Sequence, residues 1–424
     1  MNTIRLPQLP WHGTKELELP LPEGWEVEMY HMAGYNLPAL KPAQIKAAIA
    51  KPIGMSPLRE YARGKKEVVI IFDDMTRVTR LAEIVPFVLE ELAQAGISDD
   101  RIRFIMALGT HGVANRLDFE KKLGRDVVAR FPVYNHNAFN NCVYVGTTSY
   151  GTAVSVNAEV MSCDLKLGIG SVVPHPNTGF GGGGKLILPG VCSAETAESF
   201  HRLESKLREK NPGKRLTGMG VFDDNPMQLN VAEAAAMVGL DMKLDCLLNG
   251  WGESAAIFAG ALEPAYEAAT RAAKTHYLTP EAKDKRIVIA NTFAKANEAA
   301  IVGLNAAFNA ISPDGGDVVL VGNAPDGQVI HYLLGSFGKT SGGNLRLRVR
   351  VPRRVNRLIV YSEYPEAVMR DYFQDLDKVL FISRWDDVVK ALQESHGNKV
   401  KVTVFPSADI QYFPGASEKH SGLF

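Results

Sequence analysis

The sequence has little of what marks secreted, membrane-bound or nucleic-acid-binding proteins. Its four cysteines are far apart and form no Cys-x-x-Cys pair, which argues against a disulfide scaffold or a thiolate zinc site and favours a reducing compartment. No stretch approaches the roughly 18 apolar residues of a membrane helix, and the opening MNTIRLPQLPWHG lacks the apolar core of a signal peptide. Charge of one sign is also missing, because 47 Lys and Arg balance 47 Asp and Glu, and this excludes a general polyanion-binding surface. We therefore expect a cytoplasmic protein with neither a nucleic acid nor a membrane as partner.

What is present is an ordinary globular composition in a long chain. Apolar residues make up 46% and charged residues 22% of the 424 positions, and this length suits two domains better than one. The unusual figure is 38 glycines, four of which stand in a row.

Alternating strand and helix patterns predict an α/β fold with two domains and mainly parallel sheets. EVVIIF (67–72), a helix at about 81–95 and RIRFIMA (101–107) follow the strand–helix–strand order of a parallel pair. A third apolar run and three helical patterns continue this part of the chain, at 165–170, 193–207, 225–238 and 262–277.

A charged segment after Thr279-Pro280 indicates a linker, and beyond it strands again alternate with helices. The strand patterns are RIVIAN, DVVLVGN, RLIVYS, VLFIS and KVTVF, and helices are predicted at 365–373 and 385–395. We predict an N-terminal cofactor-binding and catalytic domain at 1–275, a C-terminal α/β domain at 285–405 and a tail at 406–424. The active site is then expected in the cleft between the two domains.

Polar loops follow two of the predicted strands. Asp73-Asp74-Met75-Thr76-Arg77 comes after the first, and Gly109-Thr110-His111 comes after the second. In parallel sheets, ligands bind just beyond the carboxyl ends of the strands. Arg77 is suited to bidentate capture of a carboxylate there.

The glycine run, Gly179-Phe180-Gly181-Gly182-Gly183-Gly184-Lys185, formally satisfies the opening of a phosphate-binding P-loop. Leu186 stands where such a loop needs Ser or Thr, and prolines separate the run from the preceding strand, which disfavours a nucleotide triphosphatase. A flexible surface loop is one alternative. Because ordering glycines costs backbone entropy, the run is better suited to a close approach of the backbone to a ligand. Lys185 could then anchor a ligand covalently or pair with an anion.

Three of the ten histidines, His111, His175 and His201, fall in these segments. Taken singly, each is more often a structural histidine, but together they offer acid/base groups or metal ligands. A zinc hydrolase is disfavoured because the sequence has no HExxH motif. The other seven histidines are interpreted as structural or surface residues: His12, His31, His136, His276, His331, His396 and His420.

Taken as a set, these motifs resemble those of the nickel-dependent lactate racemase family. The resemblance covers about residues 67–205 and rests on DDMTR (73–77), GTH (109–111), His175, KLILPG (185–190) and His201. The spacings of ten residues from His175 to Lys185 and sixteen from Lys185 to His201 are those of the family.

The resemblance implies a nickel-pincer nucleotide, a pyridinium mononucleotide whose carbon and two sulfurs hold nickel. Lys185 would form its covalent link, and His201 would be the protein's nickel ligand. His111 and His175 would be the two acid/base groups, one on each side of the substrate carbinol. Further cofactor contacts are expected from Asp74, Thr76, Gly182, Gly183 and Gly184, and substrate contacts from Arg77, Asp74 and Lys295. The family's cofactor-synthesis enzymes would be partners, and the oligomeric state is left open.

The second domain departs from the family pattern. Where lactate racemases carry a Tyr-Gln pair and a nearby lysine, this chain has Ala299-Ala300 and Gly303, so we expect donors to be lost and space to open. Lys295, Asn297 and Glu298 offer polar groups instead. The resemblance therefore implies an isomerase that inverts C2 of a 2-hydroxy acid by reversible hydride transfer. Its substrate would be a sugar acid, a malate-like acid or a larger acid. The alternative is a non-catalytic homologue that binds the acid or the cofactor.

Overall fold

The computed structural model describes residues 2–298, 300–333 and 348–413, and two six-stranded sheets form its frame. The first sheet is parallel except for its last pair, Met242–Leu248 with Ser254–Gly260. The second sheet is parallel throughout. The structure thus confirms the predicted α/β class with mainly parallel sheets.

The strands of each sheet are named here in spatial order. In the first sheet they are Ser254–Gly260, Met242–Leu248, Leu165–Ser171, Val68–Asp73, Ile102–Ala107 and Val133–Asn135. In the second sheet they are Val379–Ile382, Val355–Tyr361, Gly316–Gly322, Ile287–Thr292, Val400–Phe405 and Trp25–Met29. Three short hairpins pair Asn2–Leu6 with Leu17–Leu21, Cys142–Thr147 with Ala153–Asn157, and Pro174–His175 with Gly179–Phe180.

The α-helices connect and cover these strands. They are Pro42–Ala50, Leu58–Tyr61, Val85–Gln94, Arg116–Leu123, Arg125–Arg130, Ala158–Ser162, Ala194–Lys210, Pro226–Val238, Leu262–His276, Leu304–Ala310 and Trp385–His396. None of the helices within the described ranges is long and apolar enough to cross a membrane.

Alternation of buried side chains explains why the strands form central, doubly covered sheets. In Val68–Asp73, Val68 and Ile70 pack on one face, while Val69 and Ile71 pack on the other, because successive side chains point to opposite sides. Between the sheets, a further apolar cluster joins Val172 from the first part of the chain to Phe293 and Ile410 from the second. This cluster holds the two sheets against each other beside the cleft.

Three segments differ from the sequence-based expectations. Trp25–Met29, at the beginning of the chain, is an edge strand of the second sheet, paired with Val400–Phe405. The helix predicted at 365–373 is a shorter 3-10 turn, Ala367–Tyr372. Residues 406–413 are almost entirely buried instead of forming a free tail, while 414–424 lie outside the described residues. The domain limits themselves stay a prediction.

Candidate active site

One cavity lies where the carboxyl ends of strands from both sheets meet. Its lining includes all of the predicted site residues except Gly183 and Gly184. The first sheet contributes the loops after Val68–Asp73 and Ile102–Ala107, and the second contributes the segment after Ile287–Thr292. This is the edge at which α/β proteins bind ligands.

A buried ion pair holds the loop that carries Asp74 and Arg77. Lys122, which is 0% exposed, donates to Asp73 Oδ1 at 2.5 Å and to the carbonyl oxygen of Arg77 at 2.7 Å. The hydroxyl of Thr79 donates to the other oxygen of Asp73 at 2.5 Å. The loop geometry is therefore set from beneath the cavity.

His111 and Asp74 form a hydrogen-bonded dyad. His111 Nδ1 lies 2.5 Å from Asp74 Oδ2, while the Thr76 hydroxyl donates to Asp74 Oδ1 at 2.5 Å. Burial alone would lower the pKa of His111, but the negative charge and hydrogen bond of Asp74 outweigh it and raise that pKa above its ordinary value. Burial likewise would raise the pKa of Asp74, but His111 and Arg77 hold it below its usual range. The Asp74 carboxylate thus stabilises the protonated form of His111.

His175 has the opposite electrostatic environment. Its Nδ1 accepts hydrogen bonds from the backbone N–H groups of Asn177 at 3.2 Å and Thr178 at 3.4 Å, and its Nε2 lies 3.3 Å from Lys185 Nζ. Burial, followed by the positive charges of Lys185 and Lys295, lowers the pKa of His175 well below its ordinary value. One cavity therefore holds an imidazole favoured as a cation and another favoured as the neutral base.

Lys185 is an amine without an ion-pairing carboxylate among the described residues. Its Nζ contacts His175 and lies 5.6 Å from the centre of the Phe200 ring. Burial and the charges of Arg77 and Lys295 lower the pKa of Lys185 to about 7. A substantial part of this amine is therefore neutral, and nucleophilic, near neutral pH.

This pKa gives a direct prediction for the cofactor-free protein. Pulse acylation followed by peptide mass spectrometry should show Lys185 labelling with a pH midpoint near 7, whereas ordinary lysines titrate near about 10.4. Lys295→Met removes a neighbouring positive charge and should move the Lys185 midpoint to higher pH. A midpoint of Lys185 in the ordinary lysine range would contradict the buried, cation-rich environment.

His201 reaches the cavity from the helix Ala194–Lys210. The side chain of Ser193 caps this helix by accepting from the N–H of Thr196 at 3.3 Å. Burial and nearby positive charge lower the pKa of His201 to about 3, so its ring is neutral and able to bind a metal. Ser205 and Arg208, on the same helix, also line the cavity.

The glycine run is explained mainly by packing. Gly182 lines the cavity at φ +80°, but Gly183 donates its N–H to Asp245 Oδ2 at 3.0 Å. A Cβ on Gly183 would lie 2.6 Å from the Tyr266 ring, and one on Gly184 would lie 2.8 Å from a neighbouring alanine methyl. The two glycines therefore let the backbone pack closely against the protein core. Contrary to the expectation that they contact the cofactor, neither lies on the cavity wall.

The second domain contributes three charged or titratable groups that face these residues. Lys295 is buried and donates from Nζ to the carbonyl oxygen of Pro174 at 3.2 Å. Glu298 Oε1 lies 3.8 Å from His111 Nε2, and the His331 ring centre lies 4.8 Å from that of His111. His331, interpreted from the sequence as a structural or surface residue, lines the cavity beside His111. No local pattern marks His331, because only the contact between domains brings it into the cavity.

His111, Glu298 and His331 also form the one group among the described residues that could hold a metal ion. Each offers a ligand atom, and these atoms lie within 4.8 Å of one another. His201 does not belong to this group, although its ring centre is 6.3 Å from that of His331.

Of the small residues at the altered family positions, the two that the structure describes, Ala300 and Gly303, do not line the cavity. Ala299 lies outside the described residues, and Ala300 is buried. A Cβ on Gly303 would lie 2.7 Å from Thr292 Cγ2, so the backbone is already tightly packed there. The expected gain of space at Gly303 is therefore wrong. The cavity wall at this edge is formed instead by Lys295, Glu298 and Val302.

Comparison with known proteins finds a matching family model and two similar curated proteins. Residues 12–212 match the family model of the lactate racemase N-terminal domain. A lactate racemase of Thermoanaerobacterium thermosaccharolyticum is 30% identical over 224 residues, covering 52% of this chain and 51% of that protein. A lactate racemase of Lactiplantibacillus plantarum is 28% identical over 289 residues, covering 67% and 66%. The matched part thus spans about half to two thirds of the length of these relatives.

Solved structures share the fold over a longer range. The lactate racemase apoprotein of T. thermosaccharolyticum matches with a TM-score of 0.71 at 21% identity, covering 97% of this chain and all (100%) of that one. A protein from Thermotoga maritima matches with a TM-score of 0.66 at 20% identity, covering 89% and 100%. Residues 12–212 thus carry a lactate racemase N-terminal domain, and the chain as a whole shares the fold of the lactate racemase apoprotein.

Proposed function

We propose that this chain is a racemase or epimerase that inverts C2 of a 2-hydroxy acid, using the nickel-pincer nucleotide of its family as cofactor. The observation that carries the proposal is the pair of imidazoles with opposite proton preference, His111 and His175, in one cavity with Arg77 and Lys185. Inverting a carbinol centre through a flat 2-keto acid needs a proton donor and a proton acceptor that exchange roles with direction.

The residues present fit the cofactor. Lys185 offers a partly neutral amine for acylation, and His201 offers a neutral ring nitrogen with no hydrogen bond among the described residues. When bound, the nickel cofactor supplies the group that takes a hydride from C2 and returns it. Ser205 and Arg208, farther along the helix of His201, supply polar groups for the nucleotide end.

Arg77 is proposed to hold the carboxylate of the acid. Its Nη1 donates to the carbonyl oxygen and the hydroxyl of Thr76, at 2.8 and 2.9 Å. Within the described residues, its Nε and Nη2 make no hydrogen bond, which leaves one edge of the guanidinium for bidentate binding. The neutral His175 then accepts the hydroxyl proton of one enantiomer, and the protonated His111 donates a proton when the opposite hydroxyl is formed. For the other enantiomer these roles reverse.

The substrate is proposed to differ from lactate. Lys295 and Glu298 on the second-domain wall give the cavity charged groups that a methyl substituent would leave without partners. A sugar acid, a malate-like acid or a larger 2-hydroxy acid would use them.

The test uses protein co-expressed with the cofactor-making enzymes. Intact mass should show a covalent adduct with bound nickel, and a panel of 2-hydroxy acids should show loss of stereochemical purity at C2 with at least one member. Lys185→Ala should lose the adduct and the activity, whereas Lys121→Met, at a partly exposed lysine outside the cavity, should keep both. Nickel-loaded protein that leaves every acid unchanged would instead favour a non-catalytic homologue that binds the acid or the cofactor.

A further inference from the structure

We propose that the substrate carries hydroxyl groups on the carbons beyond C2, as an aldonic acid does. The inference rests on the function proposed above and names the substrate class of the same cavity. It is carried by an acceptor, Glu298, and a donor, His331, that stand side by side on the second-domain wall.

Glu298 is a buried carboxylate whose hydrogen-bonding capacity is unfilled. Its side chain is 9% exposed, and its nearest charged neighbours are Arg77 Nη1 at 4.0 Å and His111 Nε2 at 3.8 Å. Both distances exceed a hydrogen bond, and no described residue donates to either oxygen. Because Glu298 lines the cavity, its free lone pairs accept hydrogen bonds from whatever occupies the cavity, which is water in the empty site and the substrate's donors when a substrate is bound.

His331 supplies the complementary donor. Its Nδ1 accepts from the N–H of Leu333 at 3.2 Å, so the neutral ring carries its proton on Nε2. A ring nitrogen of His331 and an oxygen of Glu298 lie within 4.8 Å of each other. One hydroxyl, which both donates and accepts, can bridge such a pair with two bonds of about 2.8 Å.

Methyl, phenyl and carboxylate substituents beyond C2 fit the wall formed by Glu298 and His331 poorly. A methyl or phenyl group would bury against Glu298 and leave its oxygens without donors. The second carboxylate of a malate-like acid would be repelled by the negative charge of Glu298. The two nearby cations, Arg77 and Lys295, do not offset this repulsion, because each has another partner. Arg77 is needed for the first carboxylate, while Lys295 donates to Pro174 and has its pKa lowered to about 7 by burial and by Arg77. Hydroxyl groups are the substituent that satisfies both Glu298 and His331.

The deciding experiment compares gluconate, lactate, malate and phenyllactate as substrates of nickel-loaded protein, with chiral analysis at C2. We expect kcat/KM for gluconate to be at least about tenfold above the others. The isosteric Glu298→Gln should lower the gluconate value by about 10- to 100-fold, because a hydroxyl binds an amide oxygen more weakly than a carboxylate. Because Glu298 also lies 3.8 Å from His111 Nε2, the substitution is expected to slow turnover of every acid, so the deciding readout is the ratio of the two kcat/KM values. The gluconate-to-lactate ratio should fall by about tenfold or more, since lactate has no hydroxyl beyond C2.

Two outcomes would overturn the inference while the racemase function stands: a preference for lactate, malate or phenyllactate, or an equal loss with all four acids in Glu298→Gln. Calorimetric binding of gluconate and lactate to the cofactor-free chain separates the two proposals. Tighter binding of gluconate that depends on Glu298, without turnover of any acid by loaded protein, supports the substrate class and contradicts the racemase function.

Discussion

Replacing His111 with glutamine is expected to lower kcat by about 10²–10⁴-fold, the usual contribution of a positioned acid/base group. Glutamine keeps a donor for the buried Asp74, which His111 Nδ1 contacts at 2.5 Å, so the fold should survive. Asp74→Asn should preserve the shape but remove the charge that raises the pKa of His111. The pKa of His111 then falls, and the limb of the pH–rate profile that it sets should move to lower pH.

Single-turnover measurements sharpen this prediction. If His111 and His175 act on opposite sides of the carbinol, His111→Gln and His175→Gln should each still form the 2-keto acid from one enantiomer. The two variants should retain opposite enantiomers. Full steady-state activity in both variants would contradict the acid/base assignment, and a loss of the same enantiomer in both would contradict the two-sided arrangement.

Replacing Lys122 with methionine is expected to lower the free energy of unfolding by about 3–5 kcal/mol, as when one partner of a buried ion pair is removed. Lys122 is fully buried, so Asp73 would be left as an uncompensated charge beneath the cavity. Urea unfolding followed by circular dichroism measures the change.

A neighbouring lysine gives the matched control for Lys122. Lys121 pairs with Asp326, whose side chain is 63% exposed, so Lys121→Met should cost no more than about 1 kcal/mol. The double variant Lys122→Met/Asp73→Asn should recover part of the loss, because it removes both charges. A change in Lys122→Met no larger than that in Lys121→Met would show that the pair contributes little.

The sequence predicted much of the framework because its signals are local. Short apolar runs, some of them rich in β-branched residues, indicated the central strands, and Val68–Asp73 lies within one residue of the predicted 67–72. The helix bearing His201 begins where Ser193 can cap it, and it was predicted at 193–207 against the observed Ala194–Lys210. The first-domain loops could be placed near one another because parallel strands end at a common edge.

Residues joined across long sequence separations escaped prediction. In the sequence, Lys122 resembles any charged residue on the solvent-exposed face of a helix. In the structure its side chain is buried and donates a hydrogen bond to Asp73, 49 residues away. His331 has no motif, and Glu298 was noted only as a polar replacement, so their approach to His111 could not be foreseen. Small residues were also misread, since Gly183 and Gly303 serve backbone packing instead of the cavity.

By itself, the sequence determined the α/β class, three central strands of the first sheet, and which titratable groups of the first part of the chain would share one cavity. The tertiary structure alone decided which strand the N-terminal segment would pair with, since Trp25–Met29 joins Val400–Phe405. It also decided which second-domain groups close the cavity. The physical reason is that periodicity shows that a face is buried, whereas the partner that buries it depends on packing between distant segments.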